Sequence, residues 1–460
     1  LVISKGYSVS QDTLQKLKEQ LLAHINNQKE LSPAQVAEGL KELKKSDKNA
    51  YNELLPKLNK EDLAEVAIEM PDHMLKDVIM HIPQEKIVDA IETLESDDAT
   101  DLIQNIEDID EDKAKELFDS LEVESKKEIS ALIDYKENEA GAYMQVELFK
   151  AELNESLQTA IERFRQLKKS GELVSVFALF ITDSAGVLRY AVPIDDMILF
   201  EPSDSLAKIM SEHGSEYEAH FARDDDDITE VAQIVKDYDL SSIAVVDKAG
   251  VLLGRITNYD IHDFLEESAT EQIYNLAGVN DEAEEEESVV KAGRARAVWL
   301  VLNLITAIIS SVVISLFDES INKIVALAIL MPIVASMGGN TGTQALTVTV
   351  RRLATREITF SNAKSVIGRE FAIAFVNGAI FAVLVGLVAH VWFGMAGLGF
   401  VIAAAMLINL AGAGFFGAII PMSLKRFGVD PAVASPVLLT TMTDVVGFLS
   451  FLGLATWILL

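Results

Sequence analysis

The chain has 460 residues, half of them hydrophobic, with 39 Lys and Arg against 71 Asp and Glu for a net charge of −32. The charge is unevenly spread: 28 basic and 65 acidic groups precede Lys291, whereas 11 basic and 6 acidic groups follow from it, a net of +5. An acidic half of this size excludes nucleic acid as a partner and favours cations, and the absence of cysteine excludes disulfides and thiolate metal sites.

The chain begins Leu-Val-Ile-Ser-Lys with no apolar leader, so no signal peptide is expected and the acidic half is expected in the cytosol. The missing initiator Met implies numbering that starts inside a longer chain. Residues 1–136 read as an acidic array of short amphipathic helices, with Leu-Pro-Lys-Leu, Met-Pro-Asp-His-Met-Leu and Ile-Pro-Gln-Glu-Lys-Ile recurring as helix starts. The segments resemble one another at the length of a helical repeat, so the expected fold is an all-α superhelical domain. Glu95 to Asp101 gathers carboxylates at one helix start. The macrodipole alone favours acids there. The sharper expectation is that Asp97, Asp98 and Asp101 share a hard divalent cation, Mg²⁺ or Ca²⁺, with another domain.

An internal repeat fills residues 137–267. Asp183-Ser-Ala-Gly-Val-Leu aligns with Asp247-Lys-Ala-Gly-Val-Leu, and each copy reads helix, strand, turn, strand. That pattern resembles a tandem pair of α/β CBS domains. The second copy ends Gly254-Arg-Ile-Thr257-Asn-Tyr-Asp260, similar to the CBS motif in which a hydroxyl and a carboxylate hold the ribose of ATP or another adenine nucleotide. In the first copy Pro193 replaces the Thr while Asp196 matches the Asp. The plain alternative is a Thr-x-x-Asp helix start in which Thr257 only caps. Asp226 and Asp227 close an acidic run that is either a solvated loop or part of a cation-sensing surface, and Glu267 and Glu271 open an acidic connector, residues 268–296. The connector includes Glu282 to Glu287 and ends in Lys291, Arg294 and Arg296.

Residues 297–460 read as a polytopic α-helical membrane domain with five transmembrane helices, at about 297–317, 321–350, 365–391, 397–423 and 431–459. Arg351, Arg352, Arg356, Lys364, Arg369, Lys425 and Arg426 cluster on one side with the connector, leaving Lys323 for the other, so Leu460 is expected outside. Within the second span, Pro332 and Gly338, Gly339 and Gly342 argue for broken rather than plain helix. Asp444, near the middle of the last span, is expected to face a pore or a partner.

Pro332, Gly338-Gly339-Asn340-Thr341-Gly342 and Gln344, with Asp430-Pro431-Ala432 and Asp444, resemble the membrane core of the MgtE magnesium channels and transporters. The resemblance covers nearly the whole chain. It implies a homodimer in the plasma (bacterial inner) membrane with its pore between subunits, closed by a plug helix in the connector. It also implies Mg²⁺ both as cargo and as the regulatory ion. Asp444 is expected to meet a largely hydrated ion through water, with Thr440 and Thr441 one turn below and the opened backbone of Gly338, Gly339 and Asn340 supplying carbonyls; Asn340 and Gln344 would orient waters. Two alternatives remain: a membrane-tethered CBS nucleotide sensor, or a carrier of another divalent cation such as Co²⁺. Enzymatic readings are excluded by the lack of a His-Glu-x-x-His, Gly-x-Ser-x-Gly or Walker sequence.

Overall fold

Side-chain caps define the helix starts of the N-terminal region. Ser32 and Gln35 form a reciprocal capping box ahead of Pro33–Ser46, and Asn59 and Asp110 each accept from the backbone three residues on. Pro71 and Pro83 precede Asp72–His81 and Gln84–Ile91 as expected, but Pro56 sits in a short 3-10 turn, Leu55–Lys57. One continuous apolar core, from Leu17 to Ile129, ties these helices together, among them α1 (Ser96–Ile109). A computed structural model describes residues 11–171, 173–279, 289–359 and 361–460, so the acidic block Glu282 to Glu287 lies outside the described residues. The chain divides into two units, Leu1–Glu266 and Glu267–Leu460.

The repeat folds as two mixed three-stranded sheets. In the first, β1 (Lys150–Glu152) runs parallel to β2 (Ala178–Thr182), which pairs antiparallel with β3 (Leu188–Pro193); α2 (Leu157–Ser170) connects β1 to β2. β4 (Phe221–Arg223), α3 (Ile228–Asp237), β5 (Ser242–Val246) and β6 (Leu252–Thr257) repeat the order. The aligned aspartates explain the likeness: Asp183 Oδ1 accepts from the amides of Ala185 and Val187, and Asp247 Oδ1 from those of Ala249 and Val251. Gly186 and Gly250 supply the positive φ that each turn needs. The two turns then pair with each other, Leu188 donating to Gly250 and Leu252 to Gly186.

α4 (Asn258–Ala277) continues out of β6 across the expected boundary at residue 267. The second unit holds the long helices α5 (Val289–Ser315), α6 (Ala326–Ala354), α7 (Ala363–Phe393), α8 (Ala396–Arg426) and α9 (Pro431–Leu459). Among the described residues, four are long and apolar enough to cross a membrane: those within α5, α7, α8 and α9. Their outward faces are apolar, as Val298, Leu300, Ile305 and Ile308 on α5 illustrate. α6 is more polar. It is also unbroken, which corrects the expected opening at Gly338 to Gly342. Pro332 lies in the second turn and removes only one helical donor. The glycines serve packing instead: a Cβ on Gly338 would stand 2.3 Å from Asn409 Nδ2, and one on Gly342 3.0 Å from Leu439. Small residues also build the α7–α8 seam, where Ala374, Gly378, Ala382 and Gly386 are buried at every fourth position.

Candidate functional site

In the second unit, one stretch of α6 sends its two kinds of residue in opposite directions. At 100° per residue, Gly338 and Gly342 share a face, and Asn340 and Gln344 lie on the opposite one. The structure agrees: Gly338 and Gly342 are buried against α8 and α9, whereas Asn340, Thr343 and Gln344 are exposed. These polar side chains, with Thr341 and Met337, line a cleft of about 400 Å³ that is closed on the α7 side by Asn377 and Phe381. The backbone carbonyls expected from Gly338, Gly339 and Asn340 are spent inside the helix.

Asp444 sits in α9, about 20 Å from its start at Pro431. It is half-buried and carries no hydrogen bond or ion pair among the described residues. Thr440 and Thr441 lie one turn earlier on the same side, but both hydroxyls donate to carbonyls four residues back, Pro436 and Val437. Asp444 does not line the Asn340 cleft within one chain.

Sequence reasoning passed over three polar residues of this unit. Asn377 completes the cleft, Glu370 is a buried acid near the start of α7, and Asn409 is fully buried in the middle of α8. A polar residue inside an apolar run was the available signal. The end of α4 docks here as well: Leu276 packs on Leu346, Val350, Ala432 and Leu439, the facing ends of α6 and α9. Near it Glu271 accepts from buried Asn275.

In the first unit, the start of α1 is held by the segment that enters the repeat. Glu147 accepts from the Ser96 amide and hydroxyl, each at 2.9 Å, and the Val146 amide donates to Ser96 Oγ. Gln145 in turn exchanges both backbone hydrogen bonds with Arg255 of β6. Around this junction Glu95, Asp97, Glu147 and Asp260 surround the buried Arg255, whose Nη2 stands 3.6 Å from Glu95 Oε1, and Asp98 lies near Asp260 and Glu147. Burial first, then neighbouring carboxylates, pushes Glu95 up to about 7 against the pull of Arg255, and Asp98 up to about 6. Burial likewise raises Asp97 well above the usual carboxylate range, with Asp98 and Asp260 adding to it. Asp260 is raised by burial against the hydrogen bonds it accepts from Thr257.

Asp97 and Asp98 are thus brought together with Asp260, which the sequence had placed at a nucleotide site. Asp260 Oδ2 accepts from the Thr257 amide at 2.7 Å and its own amide reaches Thr257 Oγ1 at 3.5 Å, a reciprocal cap on α4. Asp101 is exposed on α1. Asp226 and Asp227 bind their own loop, accepting from the amides of Arg223 and Thr229. Glu267 and Glu271 belong to the second unit. Among the described residues, no three His, Cys, Asp or Glu side chains form a ready metal cage.

Three family models match the chain: the divalent cation transporter MgtE over residues 331–454, the MgtE intracellular N domain over 31–138 and the CBS domain over 206–267. The magnesium transporter MgtE of Thermus thermophilus is 31% identical over 338 residues, 73% of either chain. The chain belongs to the MgtE family. The MgtE of Bacillus subtilis is 32% identical over 330 residues, 72% of either chain. A solved soluble part of a magnesium transporter is similar with a TM-score of 0.47 at 21% identity, over 56% of this chain and 99% of that one. The cytosolic domain of the Mg²⁺ channel MgtE in complex with ATP gives 0.45 at 23% identity, over 54% and 99%.

Proposed function

We propose that the chain carries Mg²⁺ passively across the plasma membrane as a homodimer. The observation behind this reading is the outward polar face of α6, with Asn340, Thr343 and Gln344 exposed in the middle of an otherwise apolar bundle. Facing lipid, such a face would be costly; against the same face of a second copy it lines a wet path. α6 then acts as the fifth span despite its polarity, with residues 1–136, 137–267 and the connector 268–296 on the cytosolic side and Leu460 outside. Asp444, half-buried and without a partner, supplies a carboxylate that attracts the cation through its water shell. Mg²⁺ gives up water slowly, so contact through water permits passage.

Regulation belongs to the carboxylates around Asp97, Asp98 and Asp260. A divalent cation bridging them would tie α1 to the start of α4, whose far end, Leu276, packs on α6 and α9. The mutual capping of Thr257 and Asp260 supports a structural role for those two residues. The deciding experiment is Mg²⁺ uptake into proteoliposomes by the intact chain and by Asp444→Ala, with and without cobalt hexammine. Uptake blocked by this mimic of the hydrated ion and lost in the variant is the expected result. No uptake by the intact chain would leave the tethered sensor as the better reading.

A further inference from the structure

Asn409 lies in the middle of α8, fully buried, in a helix that is otherwise apolar for most of its length. Its amide stands between two other helices. Nδ2 donates to the carbonyl of Val334 in α6 at 2.9 Å. A Cβ on Gly338 of α6 would lie 2.3 Å from the same nitrogen, and a Cβ on Gly447 of α9 would lie 2.7 Å from it. Two glycines on separate helices therefore clear space for one side chain. Oδ1 is buried with no hydrogen-bond partner. A buried amide with an idle carbonyl is a poor space-filler, since an apolar side chain would fill the volume without that cost. What the amide adds is direction: its one hydrogen bond sets the axial register of α8 on α6, and its close fit against Gly447 sets the spacing of α9.

The two helices so fixed are those of the proposed ion path. Asn340 lies two residues beyond Gly338 on α6, and Asp444 lies three residues before Gly447 on α9. We infer that Asn409 is a positioning residue for permeation, setting where the Asp444 carboxylate stands relative to the polar face of α6. It touches no ion. The inference rests on the transport reading above and adds to it a residue that acts through the two pore helices.

The test uses the full chain in proteoliposomes, comparing the intact protein with Asn409→Leu, Asn409→Ala, Gly338→Ala and the double variant Gly338→Ala/Asn409→Ala. The readouts are Mg²⁺ flux, discrimination against Ca²⁺, and the cobalt hexammine concentration that halves flux. A merely structural wedge would leave the last two unchanged. Asn409→Leu is expected to shift the half-blocking concentration about ten-fold, because small displacements at a binding geometry have large effects. Gly338→Ala alone is expected to abolish flux by collision with the amide, and the double variant to recover it with shifted block. Flux, selectivity and block in Asn409→Leu equal to those of the intact chain would overturn the inference while transport itself stood. Should Asn409→Leu fail to fold, the double variant decides: recovery with shifted block supports the inference, and no recovery or native block overturns it. An intact chain that carries no divalent cation would remove both readings together.

Discussion

Glu147 does at residue scale what a helix cap and a domain clasp usually do separately. Its two oxygens hold the amide and the hydroxyl of Ser96, so Glu147→Ala should lower the stability of the α1 junction by about 1–2 kcal/mol, read as a lower melting temperature of the first unit in the purified chain. Unchanged melting would show that the contact contributes nothing. Protons act on the same junction. Glu95, Asp97, Asp98 and Asp260 all hold protons more tightly here than they would in water, Glu95 up to about 7 and Asp98 up to about 6. The docked junction therefore binds more protons than the opened one between about pH 4 and pH 7, and its stability falls as pH rises through that window. Hydrogen exchange at Ser96–Ile109, corrected for intrinsic rate, should be faster at pH 8 than at pH 5.5 without divalent cations, and Mg²⁺ should remove the difference. Equal protection at both values would count against a charge-repelled junction. The sequence showed the acids on α1 but not Asp260 or Arg255, because those reach the cluster only when β6 lies beside residues 144–147.

The elements carry a lesson about glycine. The same composition fits a broken helix or a closely packed one, and only the partner decides. Proline and glycine lower helix propensity, so in the sequence alone Gly338 and Gly342 argue for breaks, yet an apolar environment rewards hydrogen bonds made within the helix. The partners Asn409 and Leu439 are distant in sequence, Asn409 standing 75 residues from the Val334 carbonyl that it holds. No local pattern could have paired them. The turns of the repeat were legible for the opposite reason, since Asp183 and Asp247 act on amides two and four residues away. Packing also separates tolerant glycines from intolerant ones. Gly414→Val would drive its side chain into Ala374 and the Glu370 carbonyl, which lie 2.4 and 2.8 Å from a Cβ there, and should yield aggregated protein on size exclusion. Gly368→Ala, with nothing within 4 Å, should elute as the native chain does. Similar elution of both variants would contradict the packing described.

At the scale of the whole molecule, the division of charge was plain from the sequence, because an acidic half and an apolar half need different solvents. The five-span reading met a real ambiguity in α6, whose polar face lowers its apolar character below that of its neighbours. If the acidic half senses the ion that the other half carries, deleting residues 1–130 should leave flux intact and abolish its inhibition by Mg²⁺ on the cytosolic side. Inhibition that survives the deletion would place sensing elsewhere. The α7–α8 seam bears on how such a protein can move. Gly386 and Gly399 bring backbone against backbone, each carbonyl within 3 Å of where the other's Cβ would be, and Gly414 gives room to the Ala374 methyl and the Glu370 carbonyl. Helices interlocked this closely have no slack to slide or roll past each other. The same closeness joins α8 to α6, where a Cβ on Gly417 would lie 2.8 Å from the Gly342 carbonyl, so α6, α7 and α8 are expected to move as one block if they move at all.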